Sequence, residues 1–192
     1  GDERGNVTVT EVLDDKRSKF GETLEFPMEG RIRSMNFSPD DQYLIVGGDG
    51  CWSAIVLVVL DPVTQTLRDL RFLQRVERLD RIYSVQFHPM GNQVALAGYD
   101  GKIAIASLVN VLSGNHQMRE IPRFGLIYCM DWNPSGKHLA VGGSDKVCAI
   151  YKEDGSLMHE APRKAAIQAL LWNPEGTLLE AFELAPVPLV PF

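Results

Sequence analysis

The stretch LIYCMDWNPSGKHLAVGGSD, from Leu126 to Asp145, occurs in recognisable form three more times along the chain. Its counterparts are RIRSMNFSPDDQYLIVGGDG from Arg31, RIYSVQFHPMGNQVALAGYDG from Arg81 and AAIQALLWNPEGTLL from Ala165. The aligned aromatic residues Phe37, Phe87, Trp132 and Trp172 stand 50, 45 and 40 residues apart. Self-similarity at such a period constrains a fold more than any local propensity. Each unit carries an apolar face that it cannot bury alone, so successive units must stack.

Within a unit the residues read as a strand, a tight turn and a second strand. Apolar and polar residues alternate, and no ten-residue stretch shows a period of 3.6. In Asn133-Pro134-Ser135-Gly136, Pro134 presets φ for a type I turn, Asn133 bonds back to the turn backbone, and Gly136 accepts the positive φ that closes the loop. Ile32, Ile82, Ile127 and Ile167 open the first strands. Ser34, Ser84, Cys129 and Ala169 follow two positions later, marking a face where sheets approach closely, and Met35, Val85, Met130 and Leu170 lie on the opposite face.

Second strands are expected at 43–48, 94–98 and 138–143, third strands at 54–60, 102–108 and 146–151, and fourth strands near 66–72, 117–121 and 156–160. Four strands at this period describe a propeller blade. The ends are incomplete in complementary ways. Residues 1–12 match a turn and third strand, with 23–26 as the fourth. Residues 167–179 supply a first strand, a turn and part of a second, after which the pattern fails where Ala181-Phe182-Glu183 replaces the Gly-Gly pair. The expected organisation is one all-β domain: a partial blade at 1–26, blades at 27–73, 74–121 and 122–160, a partial blade at 161–182 and a Pro-rich tail at 183–192. That is an open arc of about four blades, three complete and two partial, cut from a larger ring. Exposed strand edges at its ends would favour aggregation.

With 45% apolar and 23% charged residues, the 192-residue chain has ordinary globular composition. A net charge of −6 and a pI near 5.2 argue against a general polyanion binder. Cys51, Cys129 and Cys148 form no CxxC pair and sit among apolar neighbours, as buried thiols in an intracellular, reducing setting do. The longest apolar run, 54–60, falls far short of the roughly 20 residues of a membrane span, so no membrane association is expected.

The hydrophobic-Ser-hydrophobic-x-aromatic-x-Pro-x-Gly hairpin, followed by Gly-Gly-x-Asp and an apolar strand, resembles the WD40 repeat family. The resemblance covers 31–179 well and 1–26 as half a repeat. It implies a β-propeller. In the family a Trp, a His, a Ser or Thr and an Asp form a buried network within each blade, and here only the Asp matches, as Asp49, Asp100 and Asp145, with Asp2 a possible fourth. The Trp-Asp dipeptide is replaced by Val59-Leu60, Leu108-Val109 and Tyr151-Lys152, and the Gly-His dipeptide is absent. The three Asp residues are expected to cap the turn between second and third strands by accepting backbone N–H bonds.

No enzyme constellation is present: no GxSxG, no HExxH and no Walker loop. No cofactor, metal or small-molecule substrate is expected. His88 reads as a turn residue, and Asp14-Asp15 and Asp40-Asp41 as solvated turns, since they lack the alternating spacing of a calcium loop. The resemblance implies that loops leading into the first strands and those joining second to third strands gather on one binding face. There the candidate partner-binding residues are Arg31, Trp52, Arg81, Tyr99, Arg123, Phe124 and Arg163, because Arg and aromatic side chains dominate hot spots. Trp52 has a second reading, folded back over its own blade. Arg33, Tyr83, Tyr128 and Gln168 share the second slot of the first strands, near the channel mouth. The mixed-sign run Arg75 to Arg81 reads as a solvated loop or helical turn. The expected role is a scaffold docking proteins or peptides, with an RNA-associated propeller as the alternative and an enzymatic propeller, which would need titratable groups converging at the channel, as the third reading.

Overall fold

The computed structural model describes residues 3–13 and 20–183. Asp2, the Asp14-Asp15 pair and the tail from 184 onwards lie outside them. Strands β1 (Asn6–Val12) and β2 (Phe20–Pro27) form a two-stranded antiparallel sheet. Three four-stranded meanders follow: β3 (Ile32–Phe37), β4 (Tyr43–Gly48), β5 (Trp52–Leu60) and β6 (Leu67–Glu77); β7 (Ile82–Phe87), β8 (Gln93–Gly98), β9 (Lys102–Ser107) and β10 (Arg119–Pro122); β11 (Ile127–Trp132), β12 (His138–Gly143), β13 (Val147–Lys152) and β14 (Leu157–Pro162). A final pair, β15 (Ile167–Trp172) and β16 (Leu179–Glu183), forms another two-stranded sheet. The architecture is an all-β open arc of propeller blades, and its first and last half-sheets do not pair with each other.

First strands of neighbouring sheets pack on one another in the order β3, β7, β11, β15, so they form the inner edge of the arc. Each core is a seam between two blades. Ile45, Ile55 and Val76 of one sheet meet Ile82, Val85 and Phe87 of the next. Ala97, Ile103 and Ile105 meet Ile127, Met130 and Trp132. At Gly47 and Gly142 the approach is so close that a Cβ would stand 2.7 Å from a carbon of Ile82 or Ile167.

Polar bonds reinforce these seams at repeated slots. The Ser34 and Ser84 hydroxyls accept the backbone N–H of Val85 and Met130, each at 3.1 Å. The Asn36 amide oxygen accepts Phe87 N–H, and the Asp131 carboxylate accepts Trp172 N–H, each at 2.8 Å. The Ser slot therefore serves by more than small size, because the hydroxyl also bonds across the seam. His88 closes its own turn by accepting Met90 N–H at Nδ1 (3.1 Å), and Nε2 donates to Gly136 O of the next blade (3.0 Å). Its ring meets Trp132 edge-on, with centroids 4.7 Å apart. Gly136 has φ 73°, as the turn chemistry requires.

Three strand expectations need correction. The third strand of the second full blade stops at Ser107, where Leu108–Leu112 form the helical turn α1 that places Leu108 and Val111 in the first seam. β6 extends to Glu77 because β5 starts at Trp52 and pairs with it along its whole length, Trp52 opposite Glu77. Residues Arg75 to Glu77 of the mixed-sign run are therefore strand, not solvated loop. The last second strand does not fail at Leu179: β16 runs to Glu183, with Phe182 opposite Ala169.

Candidate partner-binding face

Every first strand carries a β-bulge in the same place, between Ile32 and Ser34, Ile82 and Ser84, Ile127 and Cys129, and Ile167 and Ala169. The extra residue of a bulge has no place in the ladder and its side chain is re-aimed. Those residues are Arg33, Tyr83, Tyr128 and Gln168, and together they line a cavity of about 310 Å³ on the inner edge of the arc. The bulge also explains the glycine that ends the second strand of each complete blade: at Gly98 and Gly143 a Cβ would stand 1.9 Å from the carbonyl oxygen of Arg81 or Leu126.

Aromatic and guanidinium groups form a continuous ladder across this mouth. Arg33 lies over Tyr83 at 5.3 Å, and Tyr83 meets Tyr128 edge-on at 5.7 Å. Tyr99, on the β8–β9 turn, tilts against Tyr83 at 6.4 Å, and Arg81 lies 5.9 Å from the Tyr99 ring. Arg33 also donates to both oxygens of Asp49, at 2.9 and 3.2 Å. That charge-assisted bond, ahead of the opposing effect of burial, holds the Asp49 carboxyl below its ordinary titration range.

The expected site residues separate into two groups. Arg31, Arg81, Tyr99, Phe124 and Arg163 are solvent-exposed, Phe124 at 94%. Arg31 pairs with Glu3 at 2.8 Å and Arg163 stands 4.0 Å from Glu183. Trp52 and Arg123 are corrections. Trp52 opens β5 and is buried with Val7, Met28 and Val46, its ring edge-on to Phe72 and covered by Arg75 at 4.6 Å. The indole fills a seam and cannot meet a partner. Arg123 is sealed inside its blade, where it pairs with Asp145, bonds the Tyr151 hydroxyl at 3.2 Å and donates to Val147 O at 3.1 Å. Burial opposes its charge, but Tyr151 and Asp145 outweigh that and raise its pKa.

The Asp residues need a finer account. Asp100 and Asp145 cap their turns by accepting Lys102 N–H and Val147 N–H at 3.1 Å, as expected, and each uses its other oxygen for a buried arginine, Arg78 or Arg123. Asp49 is different: its carboxylate goes to Arg33 and, among the described residues, takes no backbone N–H. Arg78 also meets the more exposed Glu120 at 3.1 Å, so the run Arg75 to Arg81 holds a guanidinium buried against Asp100. Burial, the dominant influence, pushes the Cys129 thiol up to about 12, which leaves it protonated and unreactive.

The family profile described as WD domain, G-beta repeat, matches residues 21–53, 75–105 and 110–152, more than half of the chain. The chain belongs to the WD40-repeat family. No curated protein matches the sequence. Each WD40 match starts on or just before a fourth strand and ends on a third strand, so one sequence repeat spans parts of two blades. The missing His of the family network is replaced rather than lost. Arg78 and Arg123, four residues before Ile82 and Ile127, reach the turn Asp in their blades, and Tyr151, standing where the Trp of Trp-Asp belongs, completes the network in one of them. Met28 occupies the equivalent slot before Ile32, leaving Asp49 free to pair with Arg33 instead.

Proposed function

We propose that the chain is a non-catalytic WD40 scaffold that docks proteins or peptides on the face around its channel mouth, within multiprotein assemblies. The observation that carries this reading is the ladder of Arg33, Tyr83, Tyr128, Tyr99 and Arg81. Four of these five side chains are aimed by bulges or turns rather than consumed in a seam, and preformed aromatic and guanidinium groups bind with little ordering cost. Exposed Phe124 extends the same chemistry on the loop before β11. The protein-docking reading is preferred to the RNA alternative because two arginines of the 75–81 run are engaged within the chain: Arg75 stacks on Trp52 and Arg78 is buried against Asp100 and Glu120. Buried, unpaired Cys129 and Cys148 support an intracellular setting.

The test is affinity capture from cell extract on the immobilised chain, with Tyr83→Ala/Tyr128→Ala compared against an outer-rim control, Val63→Ala. Loss of specific protein captures in the mouth variant alone is the expected result. Equal capture by both variants would remove the mouth from the reading, and nuclease-sensitive capture would return RNA to first place.

A further inference from the structure

We infer that the rim of the binding face takes an extended peptide of ordered charge: a basic side chain at the β3 end, two apolar side chains over the β7 and β11 blades, and an acidic side chain at the β15 end. The inference rests on the proposed docking role and adds the chemistry of the partner. The loops that lead into the first strands, 28–31, 78–81, 123–126 and 163–166, are all four residues long. Equal length between equivalent strands gives the four loops one geometry. In three of them the first side chain turns inward, as Met28, Arg78 and Arg123. In all four the second residue is exposed: Glu29, Leu79, Phe124 and Lys164.

Around the inner edge, from β3 through β7 and β11 to β15, this one slot is therefore acidic, apolar, apolar and basic. Leu79 is 78% and Phe124 94% exposed, and Tyr99, on the turn of the same sheet as Leu79, adds further apolar surface at 45%. Grouped apolar exposure rimmed by charge marks an interaction site. The charges beside the slot are already balanced. Arg31 pairs with Glu3, Arg163 stands 4.0 Å from Glu183, and Asp80 lies beside Arg81, whose N–H it accepts. Glu29 and Lys164 form no ion pair among the described residues, so the rim keeps one negative end and one positive end. Packed sheets stand about 10 Å apart and an extended chain rises about 3.3 Å per residue, so successive slots meet about every third residue of a bound strand. The partner pattern is basic-x-x-apolar-x-x-apolar-x-x-acidic along one chain direction. Opposite charges at the two ends fix its orientation and register, and the apolar pair supplies the anchors.

The experiment selects peptides of about ten residues, the length of that pattern, from a random display library on the full 192-residue chain. The selection is repeated on Glu29→Lys/Lys164→Glu, a change at exposed loop positions whose circular dichroism should match the parent. The parent is expected to enrich peptides in which a basic and an acidic residue bracket two apolar residues at intervals of about three, always in one order. The double variant is expected to enrich the reverse order. Leu79→Ser/Phe124→Ser is expected to bind the parental peptides on the order of tenfold more weakly by fluorescence anisotropy. The same order on both proteins, or no enriched pattern on either, overturns the inference. If the parental peptides are lost in Tyr83→Ala/Tyr128→Ala but are indifferent to the charge swap, the docking role stands and the polarised rim falls. If they respond to the swap but not to Tyr83→Ala/Tyr128→Ala, the rim stands and the mouth residues leave the reading.

Discussion

The Arg123 guanidinium and the Asp145 carboxylate, 22 residues apart, close on each other inside a single blade with only 4% and 13% of their side chains exposed. An ion pair at that depth is worth little when intact but leaves an uncompensated charge when broken. Arg123→Ala is therefore expected to destabilise by about 3 to 5 kcal/mol in denaturant unfolding. Arg31→Ala, which breaks an exposed pair with Glu3, is expected to change stability by about 0 to 1 kcal/mol. Equal costs for the two would contradict the buried network.

Trp132 fills the seam between the second and third complete blades beside Ile103, Ile105 and His88. Trp132→Ala should cost about 3 to 5 kcal/mol by the same measurement. Near-parental unfolding would mean that the seam is not the core.

Asp131 and Asn36 occupy one slot and do one job, accepting the N–H of the next blade's aromatic residue. Burial raises the Asp131 pKa, partly offset by the bond from Trp172 N–H. A folded-state pKa above the unfolded value means that the folded state retains a proton the unfolded chain releases. The contribution of Asp131 to stability therefore declines as pH rises from its ordinary value of about 3.9 through the folded value. Asp131→Asn keeps the acceptor and removes the charge, so it should match or exceed the parent at neutral pH, with the difference shrinking in acid. Comparing the two proteins cancels the opposite trends of Asp40 and Asp49, whose partners lower their pKa values. A less stable Asn variant at pH 7 would refute the account.

Gly136 and His88 are coupled across a seam. A Cβ at Gly136 would lie 2.4 Å from the His88 ring, and φ is positive there. Gly136→Ala should destabilise by more than about 1 kcal/mol, and part of that cost should vanish in a His88→Ala background. Strict additivity would show that the ring does not sense the methyl group.

How legible these features were in sequence depended on distance along the chain. The first strands, the Asn-Pro-Ser-Gly turn and the Asp100 and Asp145 caps are local, and residue types a few positions apart reported them. The buried arginines were hidden because the family's signature there is a histidine, and Arg78 and Arg123 look like surface charge until their partners 22 residues on are known. Trp52 was misplaced for a related reason: an aromatic residue after a Gly-rich turn reads the same whether it faces solvent or the preceding sheet. Its position after two turn residues did not reveal that β5 starts at the indole itself. The bulges were legible only indirectly. Four dissimilar residues, Arg33, Tyr83, Tyr128 and Gln168, share a slot among well-matched neighbours, which is how a position outside the ladder looks.

The offset between sequence repeat and sheet has a mechanical meaning. Because each repeat begins near the outer strand of one blade and ends inside the next, the units overlap like roof tiles. Pulling one repeat out strips the rim from its predecessor and the interior from its successor. Partial unfolding should then proceed in blocks of two adjacent sheets, and hydrogen exchange should show matching protection for β6 and the strands of the following sheet, not one rate per meander.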